Sequence, residues 1–293
     1  MPVNIYEVGP RDGLQSLPKL ATETKIKLIN SLAGTGLKNI EVGSFVNPVI
    51  VPQMADIKEV IEGINKSSCF YSVLIPNHKY YKIFRKFNRK EKKIKEIGVF
   101  VSASEKHNEE NVGMSIEESI KNIGNILAMA KNDGLRIRGY VATAFGYIYD
   151  DVSMQKILDI SKWYLNNGVH QISYGDTIGI ADIRHISVFT RQIIEKIPAD
   201  KICLHLHSKN NDWKDKVRAA YNLGIRCFDS SIGGFGGCPA DPCIGNIPTE
   251  EIAEYLNLDS AQGVDINKLK ETGLWIKKFA DNSRYSSSAS SET

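Results

Sequence analysis

Short runs of β-branched and aromatic residues recur along the chain. VNIYEV comes first, then KNIEVGSF, CFYSVLIP, EIGVFVSAS, RIRGYVATAF, HQISYGDT, KICLHLHS and RCFDSSI. Between them the apolar positions shift to a spacing near 3.6, in TKIKLINSLAGTG, MADIKEVIEGI, SIEESIKNIGNILAMAKNDG, SMQKILDISKWYLNNG, IRHISVFTRQIIEKI and DWKDKVRAAYNLG. Gly36, Gly134, Gly168 and Gly224 stand where a helix gives way to the next strand, the position of a glycine C-cap. Eight strands alternating with helices predict one α/β domain, a (β/α)8 TIM barrel. EEIAEYLNL and VDINKLKETGLWIKKFADN add extra C-terminal helices, so the domain is expected over 1–283, with 284–293 as a flexible serine-rich tail. A doubly wound open sheet is the alternative. No G-x-G-x-x-G follows the first strand and no Walker sequence occurs, so nothing favours a nucleotide fold.

Composition narrows the class without naming a chemistry. The 293 residues are 42% hydrophobic and 24% charged, an ordinary globular balance with material for a large core. A net charge of +3 implies no broad field for nucleic acid or a membrane surface. Cys69, Cys203, Cys227, Cys238 and Cys243 are odd in number and form no C-x-x-C pair, which favours reduced thiols and a cytoplasmic location. No apolar run approaches the roughly 20 residues that span a bilayer, and the N-terminus has no signal-peptide pattern. The dense basic run FRKFNRKEKKIKE reads as a solvated helix face and loop. It precedes a strand, which puts it at the end of the barrel away from chemistry.

Polar residues gather at the predicted C-terminal ends of strands, where barrel enzymes carry their catalytic groups. Glu7, Arg11 and Asp12 follow the first strand, Glu41 and Ser44 the second, Ser102 and Ser104 the fourth, Thr143 the fifth, and Asp176 and Thr177 the sixth. His205 and His207 lie in LHLH on the seventh. Residues i and i+2 of a strand share a face about 7 Å apart, so two imidazoles can converge on one metal ion. Unpartnered histidines would be costly in a buried parallel strand, which strengthens the metal reading. Asp12 can add a hard oxygen, and a mixed nitrogen and oxygen set suits Mg2+, Mn2+, Zn2+ or Co2+ alike. After the eighth strand comes GGFGGCPADPCIGN. It reads as a flexible surface loop, a phosphate nest, or a lid that delivers Cys238. Asn246 can cap the helix after it or give a metal its amide oxygen.

EVGPRDGLQ, IEVGSFVNPVIVPQMAD, RGYVATAFG, ISYGDTIG, LHLH and GGFGGCP…GN together resemble the 3-hydroxy-3-methylglutaryl-CoA lyases of the DRE-TIM metallolyase superfamily, in order and over nearly the whole chain. The resemblance implies a divalent-metal-dependent carbon–carbon lyase acting on an acyl-CoA, with Mg2+ or Mn2+ as the expected ion and a homodimer as the expected assembly. It implies Asp12, His205, His207 and Asn246 as metal ligands and Arg11 and Cys238 as catalytic residues, with Asp12 and His205 taking part in catalysis. Glu7, Gln15, Glu41, Ser44, Thr143 and Asp176 are the supporting or substrate-facing set. The chain departs from the family at Ser208, Lys209 and Asn210, where an acidic or amide residue usually follows the second histidine, and between Cys238 and Asn246, one residue shorter than usual. Related aldol-cleaving or Claisen-condensing enzymes, and a barrel that binds acyl-CoA without turnover, are the competing readings.

Overall fold

A computed structural model describes residues 2–15, 17–209, 211–237 and 244–289, with side chains followed through Ala280. Its centre is a closed parallel barrel in the order β1 (Asn4–Glu7), β2 (Asn39–Ser44), β3 (Phe70–Leu74), β4 (Ile94–Ser102), β5 (Arg136–Ala142), β6 (Gln171–Gly175), β7 (Ile202–His205) and β9 (Cys227–Ser230), which pairs back onto β1. All eight expected strands are present. The seventh run is divided, however. KICLHLHS supplies β7 to the barrel and then a separate strand, β8 (His207–Lys209), which pairs antiparallel with β10 (Ile244–Asn246). LHLH is therefore not one continuous strand.

Helices α1 (Thr22–Ala33), α2 (Ile57–Gly63), α3 (His78–Glu91), α4 (Glu105–Val112), α5 (Ile116–Asn132), α6 (Met154–Asn166), α7 (Ile183–Ile194) and α8 (Trp213–Asn222) surround the barrel. Ser115 caps α5 in a reciprocal box with Glu118, while Asn77, Ser104, Ser153 and Asp182 cap α3, α4, α6 and α7 through their side chains. Helices α9 (Thr249–Tyr255), α10 (Leu258–Gln262) and α11 (Ile266–Ala289) complete the fold. The expected domain boundary at 283 falls inside α11. No helix among the described residues is long and apolar enough to cross a membrane.

One continuous core joins barrel and helices, from Ile5 and Ile40 through Val99, Val141 and Ile172 to Leu204 and Phe228. Cys69, Cys203 and Cys227 are buried in or beside strands, as their apolar surroundings predict; Cys243 lies outside the described residues. A barrel interior is ordinarily filled with branched apolar side chains. Here it also holds buried Tyr6, Glu41, Ser72, Glu96, Arg138, Tyr140, Ser173 and Asp229. That polar filling connects to the strand C-terminal ends.

Candidate metal and active site

The site starts where β1 stops. The Val8 carbonyl accepts hydrogen bonds from three successive amides, Arg11 at 3.0 Å, Asp12 at 2.7 Å and Gly13 at 3.4 Å, winding Gly9–Gly13 into one wide turn. The Glu7 carboxylate clamps this turn to the loop after β9, accepting from the amides of Gly9 at 2.6 Å and Ile232 at 3.0 Å. Burial raises the Glu7 pKa to about 7. Gln15 closes the turn by donating to the Arg11 carbonyl at 3.2 Å. Gly236 presses in from the other side with φ +88°, and a β-carbon there would lie 2.5 Å from the Asn246 amide nitrogen and 3.0 Å from the Gly13 Cα. This end of the glycine run is thus a packed contact against the Arg11–Asp12 turn.

Neighbouring charges diverge on that turn. Arg11 donates through Nε to Glu41 at 2.5 Å and through Nη1 to Asp12 Oδ1 at 2.7 Å. Asp12 Oδ2 faces the other way, 3.9 Å from His205 Nε2, and accepts from Asn246 Nδ2 at 2.8 Å. Burial alone would lower the Arg11 pKa, but Glu41 and Asp12 hold it well above its usual value. Burial opposes ionisation of Asp12, and Arg11 and His205 overcome it, lowering its pKa.

The Nε2 atoms of His205 and His207 stand 3.2 Å apart. The ligand atoms of Asp12, His205 and His207 all lie within 4.8 Å of one another. Burial and the neighbouring His205 push His207 down to about 3, so it is held neutral, with the lone pair a metal needs. His205 has its second nitrogen, Nδ1, 3.1 Å from Asp229 Oδ2, the outer carboxylate that orients many metal-binding imidazoles. The set fits one divalent cation. Asp12 keeps 23% and His205 12% of side-chain exposure, so the cluster is open on one side, as a catalytic metal site must be.

The remaining expected residues divide. Glu41 is buried and joins the cluster through Arg11; burial raises its pKa while Arg11 counters. Asn246 joins through its amide nitrogen, which bridges Asp12 and the Phe235 carbonyl. The antiparallel register sets Asn246 opposite His207, an arrangement that needs the divided seventh run. Asp176 lies behind His205, its amide donating to the His205 carbonyl at 2.9 Å, and burial pushes its carboxyl up to about 6. Thr143, at φ 57°, instead ties strand ends together through Ser102, Ser104 and Thr177. Ser44 is buried at the end of β2 with no hydrogen bond to the cluster among the described residues. Cys238 lies outside the described residues.

Sequence reasoning missed Asp229, Arg138 and Tyr140. Asp229 accepts from Arg138 Nη2 at 2.5 Å, Ser173 at 2.8 Å and Cys203 at 3.2 Å besides its contact with His205. The signal was present in RCFDSSI and RIRGY. A charge inside a parallel barrel strand demands a partner, and each strand holds one half of the pair.

The sequence profile of the HMGL-like family matches residues 2–276. The hydroxymethylglutaryl-CoA lyase of Bacillus subtilis is 37% identical over 281 residues, covering 94% of this chain and 92% of that protein. The crystal structure of the HMG-CoA lyase from Brucella melitensis superposes with a TM-score of 0.89 at 35% identity, covering 96% of this chain and 99% of that one. An HMG-CoA lyase from Acinetobacter baumannii, solved with coenzyme A and 3-methylmalate, superposes at 0.84 with 32% identity, over 93% of this chain and 89% of that one. Agreement along almost the full sequence and through the whole barrel makes this chain a member of the HMGL-like family.

Proposed function

We propose that the protein is a divalent-metal-dependent carbon–carbon lyase that cleaves 3-hydroxy-3-methylglutaryl-CoA to acetyl-CoA and acetoacetate. The observation that carries the reading is the convergence of Asp12, His205 and His207 beside the buried guanidinium of Arg11 at the strand C-terminal end. The names of its relatives and the coenzyme A bound to the Acinetobacter enzyme support the substrate class. Val49, Ile50, Ile148 and Tyr149 follow β2 and β5 on the same end and stay exposed, an apolar rim suited to the pantetheine arm.

Asp12, His205 and His207 would hold the ion, with Asn246 steadying Asp12 or turning its amide oxygen inward as a fourth ligand. A divalent ion held there, Mg2+ or Mn2+, would supply Lewis acidity toward the substrate hydroxyl and so ease loss of its proton. Arg11 supplies a fixed positive charge where the enolate oxygen of the departing acetyl-CoA develops. Glu41 grips Arg11 through Nε and Asp12 through Nη1, which orients the guanidinium before substrate arrives. Cys238 is the proposed acid that protonates the enolate carbon. A homodimer in the cytoplasm completes the reading. A coupled assay for acetoacetate with 3-hydroxy-3-methylglutaryl-CoA and related 3-hydroxyacyl-CoA esters, with and without Mn2+, tests it. Formation of acetoacetate only from the first ester and only with metal is expected; turnover unaffected by chelator would overturn the mechanism.

A further inference from the structure

The buried guanidinium of Arg138 touches neither the metal cluster nor Arg11, yet hydrogen bonds lead from it to both. Its side chain is fully buried within the barrel, stacked 3.8 Å from the Tyr6 ring centre and 4.9 Å from that of Tyr140. One arm runs through Asp229. Arg138 Nη2 and Nη1 donate to the two Asp229 oxygens at 2.5 and 3.3 Å, and Oδ2 of the same carboxylate meets His205 Nδ1 at 3.1 Å. The other arm runs through Tyr140. Arg138 Nη1 donates to the Tyr140 hydroxyl at 2.8 Å, which donates to both Glu41 oxygens at 3.2 Å, and Glu41 accepts from Arg11 Nε at 2.5 Å.

Each arm transmits a defined orientation. An ionised Asp229 has only acceptors, so the proton of a neutral His205 sits on Nδ1 and the lone pair on Nε2, toward Asp12 and His207. Two parallel bonds from a planar fork fix the carboxylate plane, which a lysine cannot do. On the other arm, the hydroxyl proton of Tyr140 is committed to Glu41 because its oxygen already accepts from Arg138. The shared hydrogen bond from Tyr140 to both oxygens sets the plane in which Glu41 presents Oε2 to Arg11.

We propose that Arg138 is the common positioning residue of this site, setting the His205 tautomer through Asp229 and the aim of Arg11 through Tyr140 and Glu41. The inference rests on the metal reading above. A buried charge can also matter merely by stabilising the fold, so the test uses readouts that a structural role leaves alone.

Metal-stripped full-length protein is titrated calorimetrically with Mn2+, and steady-state kinetics are measured at saturating Mn2+. The unaltered protein is expected to bind one Mn2+ per chain; no binding would overturn the metal reading and the inference with it. Given binding, Arg138→Lys is expected to weaken Mn2+ about 10- to 100-fold, the usual consequence of disturbing an outer partner of a ligating histidine. It should also lower kcat when metal is saturating. Tyr140→Phe cuts one arm alone, and should lower kcat while leaving Mn2+ affinity within about twofold. Lys25→Met is the structural control, since Lys25 is also a buried cation paired with an aspartate, Asp56 at 2.7 Å. It should lower thermal stability and leave both readouts unchanged. Should Arg138→Lys not fold, the Arg138→Gln/Asp229→Asn double variant replaces the ion pair with neutral groups of similar shape and should show the same loss of Mn2+ affinity. Mn2+ affinity and kcat both unchanged in a folded Arg138 variant would overturn the inference while leaving the metal reading intact.

Discussion

Arg11 and Arg89 stand at opposite ends of the barrel, and each is paired with an aspartate. Arg11 meets Asp12 at 2.7 Å with 10% of its side chain exposed; Arg89 meets Asp133 at 3.7 Å with 66% exposed. Around Arg89 lies the basic run, where Arg85 also pairs with Asp133 and Lys90 is 81% exposed. This is where α3 ends and, at Asp133, where α5 ends. Cations there complement the negative ends of two helices, and the pairs of the exposed Arg89 and Lys90 contribute little. At the Arg11 end, burial removes water as a competitor and every charge has a fixed neighbour. The same residue types therefore furnish a surface at one end and a directed electrostatic site at the other. Burial and convergence separate the two, and charge density does not.

Breaking the buried end at its metal ligands should have the largest effect. His207→Ala removes one of two converging imidazole nitrogens, and is expected to abolish stoichiometric Mn2+ binding and to reduce turnover to background, measured by calorimetry and acetoacetate release. Full activity with unchanged metal content would remove His207 from the ligand set. Arg11→Met comes next. It should keep the metal but depress kcat by about 100- to 1,000-fold, the scale of losing one preorganised transition-state donor. A change confined to KM would mean that Arg11 binds ground and transition states alike.

Glu7 sharpens the contrast through pH. Burial raises its carboxyl to about 7. A carboxyl whose folded pKa lies above its unfolded value binds more protons folded than unfolded, so stability falls as pH rises. The fall begins near the ordinary value, about 4.3, and is complete just above 7, amounting to at most about 4 kcal/mol. Glu7→Gln should flatten that part of the stability profile, as followed by urea denaturation from pH 4.5 to 7.5. An unchanged slope would assign the dependence to other groups.

What the sequence made legible follows from how each element is held. The eight barrel strands are buried on both faces and therefore appear as apolar runs. The second half of α3 was legible as the helix face of the basic run, but its start at His78 was not, because its buried face is only Tyr81, Phe84 and Asn88; α4 was hidden because it rests on the Ser104 cap and Asn108 hydrogen bonds more than on an apolar stripe. The strand-end residues Arg11, Asp12, His205 and His207 were legible as chemistry in costly positions. The break after His205 was not, because it depends on pairing with a segment 35 or more residues away, Ile244–Asn246. Asp229 and Arg138 were readable only as a pair, and nothing local to either strand says that the two meet.

The smallest expected effect lies at the solvated end and has the opposite sign. Lys92 follows the last turn of α3 with φ 56°, and its amide donates to the Asn88 carbonyl at 2.8 Å. That left-handed position crowds any β-carbon, and glycine occupies it without the steric penalty of about 1–2 kcal/mol. Glycine also gains freedom in the unfolded chain, which offsets part of the benefit. Lys92→Gly should therefore stabilise the protein by roughly 0.5–1 kcal/mol, a rise in Tm of about 1–3 °C for a chain of this size. Losing the charge there should cost little, because neighbouring Arg89 and Lys90 also serve the helix end. kcat and KM should stay unchanged, since the substitution lies at the opposite end of the barrel from Arg11 and His207. Calorimetric melting and steady-state kinetics on the same preparation check both halves. A lowered kcat at unchanged stability would mean that the two ends are energetically coupled and that the comparison fails.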